Sequence, residues 1–181
     1  PKDKYVVREP SSEKMVWWGN VNQPYDEENF EKLLGKFLAY MQQRDLFVQD
    51  LFAGADPANR ISVRVVTDTA WQSLFSQNMF ISPEVNDLLK YEPEWTLLSV
   101  PSFNTHPQLD KVRSEVAIVL HPGCKLALVA GSSYGGEIKK TVFTILNYVM
   151  PLRNVLSMHC SANIGKNGDS ALFFGLSGTG K

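Results

Sequence analysis

Four short apolar runs, "RISVRVVTD" (60–68), "EWTLLSVP" (94–101), "EVAIVLHP" (115–122) and "KLALVAG" (125–131), constrain the fold of this chain most strongly. Each is bounded by turn-forming or charged residues. The first alternates, with Ile61, Val63 and Val65 on one side and Arg60, Ser62 and Arg64 on the other, the period-two signature of a strand. The other three are apolar at consecutive positions, as strands of a sheet covered on both faces are. "LFVQDLFAGADP" reads as a further strand ending in a turn at 54–57.

Helical segments alternate with these runs. Residues 26–43 open with acidic residues and place Phe30, Leu33, Leu34, Phe37, Leu38 and Met41 on one helical face. "TAWQSLFSQNMF" (69–80) is predicted helical after a Thr or Asp cap. "YGGEIKKTVFTILNYVMP" (134–151) begins with a double glycine and is predicted to stop at Pro151. "NVLSMHCSANIG" and "DSALFFG" then read as strands flanking a turn at 166–169. The irregular mixture implies an α/β (α+β) fold with a boundary at Pro151: residues 1–152 as an N-terminal α/β domain and 153–181 as the start of a second.

The formal net charge of −1 gives no global field to attract nucleic acid or an anionic membrane, so function must lie in a local site. No apolar stretch approaches the roughly 18 residues of a membrane span. Cys124 and Cys160 have neither metal nor disulfide spacing, which leads to the expectation of a reduced, cytoplasmic setting.

The segment "SALFFGLSGTGK" is the first chemical signal. Gly175, Leu176, Ser177, Gly178, Thr179, Gly180 and Lys181 fit G-x-x-x-x-G-K, in which backbone N–H groups turn inward to hold phosphate and the lysine adds positive charge. The same residues also fit a flexible glycine turn; the apolar strand before them favours the phosphate loop. The Ser or Thr that would complete the motif and bind Mg²⁺ would be residue 182, which is not in this sequence.

Lys139 and Lys140 fall in the first turn of a predicted helix, where the macrodipole disfavours cations. That field, the neighbouring lysine and partial burial would lower a lysine pKa and free an amine to act as base or metal ligand; a solvated basic face fits the pattern as well. His159 lies within a predicted strand and is either a ligand for Mn²⁺, Zn²⁺ or Fe²⁺ or a hydrogen-bonded core histidine. His106 and His121, beside prolines, read as surface residues, and Cys160 as a small apolar filler. Trp17, Trp18, Trp71 and Trp95 read as core or interface anchors.

Taken in order, "PKDKY", "WWG", "ANRISVRVVTDTAWQSLFSQNMFI", "YGGEIKK", "SMHCSANIG" and "FFGLSGTGK" resemble the ATP-dependent phosphoenolpyruvate carboxykinases over essentially the whole chain. The resemblance implies a gluconeogenic carboxy-lyase: oxaloacetate and ATP give phosphoenolpyruvate, ADP and CO₂, through the enolate of pyruvate. It implies that Lys140 and His159 are Mn²⁺ ligands, with Lys140 neutral, and that Lys139 is a charged contact to phosphate or enolate. Tyr134 would face the substrate carboxylates. The loop 175–181 would hold ATP, with Mg²⁺ travelling with the nucleotide. The implied fold is an N-terminal substrate-side domain followed by the phosphate-loop domain. In the family a Gly-Arg-Ser precedes the "PKDK" block and a Thr follows the loop lysine; neither is in this sequence, so the protein is expected to be longer at both ends and this chain alone inactive. Another phosphate-loop phosphotransferase and a non-catalytic module remain as alternatives.

Overall fold

The apolar runs form the centre of a seven-stranded mixed sheet with the order β2-β1-β6-β7-β5-β4-β3. Its strands are β1 (Lys4–Val7), β2 (Gln23–Tyr25), β3 (Phe47–Ala53), β4 (Ile61–Thr67), β5 (Trp95–Val100), β6 (Ala117–His121) and β7 (Leu126–Ala130). The helices are α1 (Glu27–Met41), α2 (Ala70–Met79), the short α3 (Val85–Leu88) and α4 (Pro107–Asp110), and α5 (Gly136–Leu152). β8 (Cys160–Ile164) and β9 (Ser170–Phe174) pair separately as an antiparallel hairpin. The computed structural model describes residues 3–176 and 178–180. The chain divides within α5 into two units, Pro1–Phe143 and Thr144–Lys181.

In the first unit, β2, β1 and β6 run parallel to one another, as do β4, β5 and β7. The two groups meet antiparallel at β6–β7, and β3 closes the other edge antiparallel to β4. The carboxyl ends of β4 and β7 therefore share one edge of the sheet, and α2 and α5 start there. The residue types explain the two faces. On one, Phe30, Leu33, Phe37 and Met41 of α1 pack on Val7, Val119, Leu128 and Val100. Each such large side chain contributes about 1.5–3 kcal/mol when fully buried. On the other, α2 presents Gln72, Ser73 and Ser76, all buried. Helix α2 thus buries a polar stripe, and every group on it needs a partner.

The strand alternation at β4 holds: Ile61, Val63 and Val65 are buried, while Ser62 and Arg64 are half-buried. Arg64 is fixed by a two-pronged pair with Asp50 across the β3–β4 ladder, Nε to Oδ1 at 2.7 Å and Nη2 to Oδ2 at 2.9 Å. Several expectations need correction. Leu38, placed on the apolar face of α1, is 48% exposed, because the stripe that meets the sheet runs through Phe30, Leu33, Phe37 and Met41. Helix α5 does not stop at Pro151 but includes it in its last turn, ending at Leu152. Thr69 is the N-cap of α2, as expected, but its hydroxyl makes no capping hydrogen bond: it lies 3.3 Å from the Thr67 hydroxyl, which also accepts from the Thr69 amide. His121 is not a surface residue: it closes β6 on the α1 side, with its ring edge-on to Phe30 at 4.7 Å. Of the tryptophans Trp95 is in the core, whereas Trp17 is 91% exposed. The short strand β1 and the edge strand β2, which carry no long apolar run, were not anticipated from the sequence.

Candidate active site

The connection from β7 to α5 carries the substrate-side candidates. After Ala130 the backbone turns through Gly131, whose N–H donates to the Val100 carbonyl at 3.3 Å, and Ser132 to Gly135 lead into α5. The Glu137 amide donates to the Tyr134 carbonyl at 2.9 Å and the Ile138 amide to the Gly135 carbonyl at 3.0 Å, so the first turn is set by the tyrosine and glycine themselves. Tyr134, Lys139 and Lys140 are all exposed. The Tyr134 ring lies against Gly136, in the space a Cβ there would take. Gly135 has a steric requirement of its own: a Cβ at this position would stand 2.8 Å from Cη2 of Trp71 and 3.0 Å from Cγ of Phe75, so α2 packs directly on the backbone that starts α5.

Beneath the lysine pair sits Glu137, 1% exposed, with the Lys4 ammonium 3.2 Å from its carboxylate. An acid in the first turn is favoured by the helix dipole, and the ion pair ties α5 to β1. Behind the turn, Gln72 is completely buried. Its carbonyl oxygen accepts from the Thr67 and Ser99 hydroxyls, at 3.0 and 2.9 Å, and its Nε2 donates to the Ser132 backbone carbonyl at 3.1 Å. Neither Glu137 nor Gln72 was singled out from sequence. The available signal for Gln72 was a polar side chain on the helix face toward the sheet, which no local pattern separates from an exposed position.

The nucleotide-side candidates lie in the second unit. The β8–β9 register pairs Cys160 with Phe174, which puts His159 and Gly175 side by side at the open end of the hairpin. His159 is exposed and precedes β8 by one residue instead of lying within it, so it is not the core histidine that periodicity also allowed. From Gly175 the chain enters a turn in which the Thr179 amide and hydroxyl both donate to the Leu176 carbonyl, at 3.3 and 2.8 Å. Gly178 and Gly180 have φ of 86° and 83°, a left-handed backbone that glycine adopts without strain and that turns consecutive amides to one side. Ser177 and Lys181, the other two positions of the motif, lie outside the described residues. Tyr134, Lys139 and Lys140 thus cluster in one unit, and His159 with residues 175–180 in the other.

The phosphoenolpyruvate carboxykinase model matches residues 1–181, the entire chain. The chain belongs to the phosphoenolpyruvate carboxykinase family. It is 53% identical over 181 residues to a phosphoenolpyruvate carboxykinase (ATP) of Caldanaerobacter subterraneus subsp. tengcongensis, covering all of this chain and 34% of that protein. Proteins of the same name from Pelobacter propionicus and Thermus thermophilus are 51% and 50% identical, covering 99% and 100% of this chain and 34% and 35% of theirs. The chain thus spans about a third of the length of the curated carboxykinases it matches. The family match runs without interruption through "PKDKY", "YGGEIKK", "SMHCSAN" and "GLSGTGK", so all the candidates above fall inside it.

Proposed function

We propose that this chain is the part of an ATP-dependent phosphoenolpyruvate carboxykinase that supplies the enolate-handling lysines and the triphosphate loop. The whole protein would convert oxaloacetate and ATP to phosphoenolpyruvate, ADP and CO₂. The carrying observation is the family match over the full chain, including both the lysine pair at the start of α5 and the loop after β9. Residues 1–152 then form the substrate side and 153–181 the start of the nucleotide side.

The tasks are those the family resemblance implies, and each suits the chemistry of its residue. Loss of CO₂ leaves electron density on the enolate oxygen, and the γ-phosphoryl group must reach that oxygen before a proton reaches carbon. Lys139, charged, offsets the anionic oxygens. The amides of Gly175 to Gly180 bind the phosphates as donors, with Lys181 on the distal oxygens. Tyr134, exposed at the edge of the turn, faces the oxaloacetate carboxylates.

The ligands proposed for a divalent ion rest on the matched motifs "YGGEIKK" and "SMHCSAN". Among the described residues no three of His, Cys, Asp and Glu stand together as a metal site. The donors are the Lys140 amine and the His159 imidazole, nitrogen ligands suited to Mn²⁺ more than to Mg²⁺, which keeps to the oxygens of the nucleotide. Bound there, the ion would supply Lewis-acid stabilisation of negative charge. Lys140 must then be deprotonated to act as a ligand.

No helix among the described residues is long and apolar enough to cross a membrane. We read the setting as cytoplasmic.

The test is phosphoenolpyruvate formation by the complete gene product from oxaloacetate with Mn²⁺ and either ATP or GTP. Activity with ATP alone is expected. Nucleotide turnover indifferent to oxaloacetate would replace this reading with another phosphate-loop phosphotransferase, and silence with both nucleotides would make the protein a non-catalytic relative.

A further inference from the structure

Helix α2 carries none of the residues assigned above, yet it touches the β7–α5 connection at two kinds of contact. Trp71 and Phe75 meet the backbone at Gly135. Gln72 reaches past them to Ser132. The Ser132 carbonyl can only accept, so the Gln72 amide must present its NH₂ there and its oxygen to the two hydroxyls. Those hydroxyls, on Thr67 of β4 and Ser99 of β5, are themselves completely buried. The amide is therefore held on both sides with no water to substitute for a lost partner. The Ser132 hydroxyl in turn accepts from the Tyr134 amide at 3.4 Å. A continuous set of hydrogen bonds runs from β4 and β5 through one glutamine to the residue two positions before Tyr134.

We infer that Gln72 is a positioning residue that sets the β7–α5 turn, and with it Tyr134 and Lys139, for oxaloacetate. It does not touch substrate. It acts through the Ser132 carbonyl, and the inference rests on the functional reading above. Displacements of the order of 1 Å in such groups lower turnover substantially, up to about a hundredfold.

The experiment uses the complete gene product with Gln72→Met, which keeps the length of the side chain and removes its hydrogen bonds, beside Val65→Ala as a control that destabilises the same sheet face away from the turn. Gln72→Met is expected to lower kcat/KM for oxaloacetate about tenfold, chiefly through KM, and to leave KM for ATP within about twofold. Amide exchange at Glu137, Ile138 and Lys139 is expected to quicken about tenfold in Gln72→Met and to stay unchanged in Val65→Ala. Where Gln72→Met does not fold, Gln72→Leu removes the same hydrogen bonds with a shorter apolar side chain and carries the same expectation. Oxaloacetate and ATP parameters both within twofold of the parent would overturn the inference, as would an equal rise in oxaloacetate KM in Val65→Ala. Exchange at residues 137–139 unchanged by the Gln72 variants would overturn it whether or not the protein turns over oxaloacetate. Loss of the functional reading alone would show as a parent protein without oxaloacetate-dependent activity whose exchange rates still respond to Gln72.

Discussion

Strands β7 and β9 are both five residues long, "LALVA" and "SALFF", the first wholly apolar and the second apolar at all but Ser170. In β7 four of the five residues are buried; in β9 all five are exposed. The difference is neighbours. Strand β7 has β5 on one side, β6 on the other and covered faces above and below. Among the described residues strand β9 pairs with β8 alone, and Phe173 and Phe174 are 52% and 73% exposed. A two-stranded ladder satisfies half the backbone of each strand and buries little side-chain area, so it is marginal by itself. Within these 181 residues, about a third of the length of the carboxykinases they match, β9 forms without a core of its own.

The largest consequence concerns local stability. In the 181-residue chain, amides of β7 such as Leu128 are expected to exchange at least about a thousandfold more slowly than those of β9 such as Leu172, because the former open only with the whole sheet. Equal protection, read by amide exchange and NMR, would break the comparison. Deletion of side chains should follow the same line. Leu128→Ala, at a completely buried position, is expected to cost about 2–5 kcal/mol in urea unfolding. Leu172→Ala, at a position 48% exposed, should cost no more than about 0.5 kcal/mol.

Legibility in the sequence divides along the same line. Period-two alternation located β4, and the continuous apolar runs located β5, β6 and β7, because burial on both faces writes itself into consecutive residues. The acidic opening and the spacing of Phe30, Leu33, Phe37 and Met41 located α1. Strands β1 and β2 stayed hidden, since "KYVV" and "QPY" owe their pairing to a parallel neighbour far along the chain. His121 misled for a related reason: a histidine beside a proline looks like a turn, and only tertiary packing against Phe30 buries it. At the candidate site, glycine spacing and the lysine pair were readable because the backbone conformation and charge they demand are local. The roles of Glu137 and Gln72 were not, because each depends on partners more than 25 residues away in at least one direction: Lys4 for Glu137, Ser99 and Ser132 for Gln72.

A smaller effect should appear on acidification, again confined to the sheet. Burial pushes the Glu9 carboxyl up, but the Ser11 hydroxyl and amide, His121 and the Ser12 amide together outweigh it and hold the group below the ordinary glutamate value near 4.5. A carboxyl held low in the folded protein contributes stability above that ordinary value, and the contribution is lost as pH falls through the lowered one. Urea midpoints followed at β1 and β6 amides should therefore drop as pH falls below about 4.5, and Glu9→Gln should flatten that drop. A Glu9→Gln profile parallel to the parent would remove Glu9 as the cause.

The two cysteines give the finest comparison, one in each unit: Cys124 after β6 and Cys160 at the start of β8. The Cys124 thiol is pushed up first by burial and then by the charges of Glu27, Glu9 and Glu31. Its sulfur stands 3.5 Å from His121 Nε2, and the Glu27 carboxylate stands 3.6 Å from the same nitrogen. The Cys124 amide donates to His121 Nδ1 at 3.2 Å, so the neutral ring carries its proton on Nε2, between sulfur and carboxylate. Glu27 thus raises the thiol by its charge and competes for the one ring proton that could stabilise a thiolate. Glu27→Gln is expected to speed iodoacetamide labelling of Cys124 about threefold at pH 7, with Cys160 in the same sample as the unchanged reference. The gain stays small because Cys124 is exposed and solvent screens the carboxylate charges around it. Labelling of Cys124 that is unchanged or slower relative to Cys160 would mean that the acidic residues do not govern the thiol, although Cys124 is exposed to the reagent.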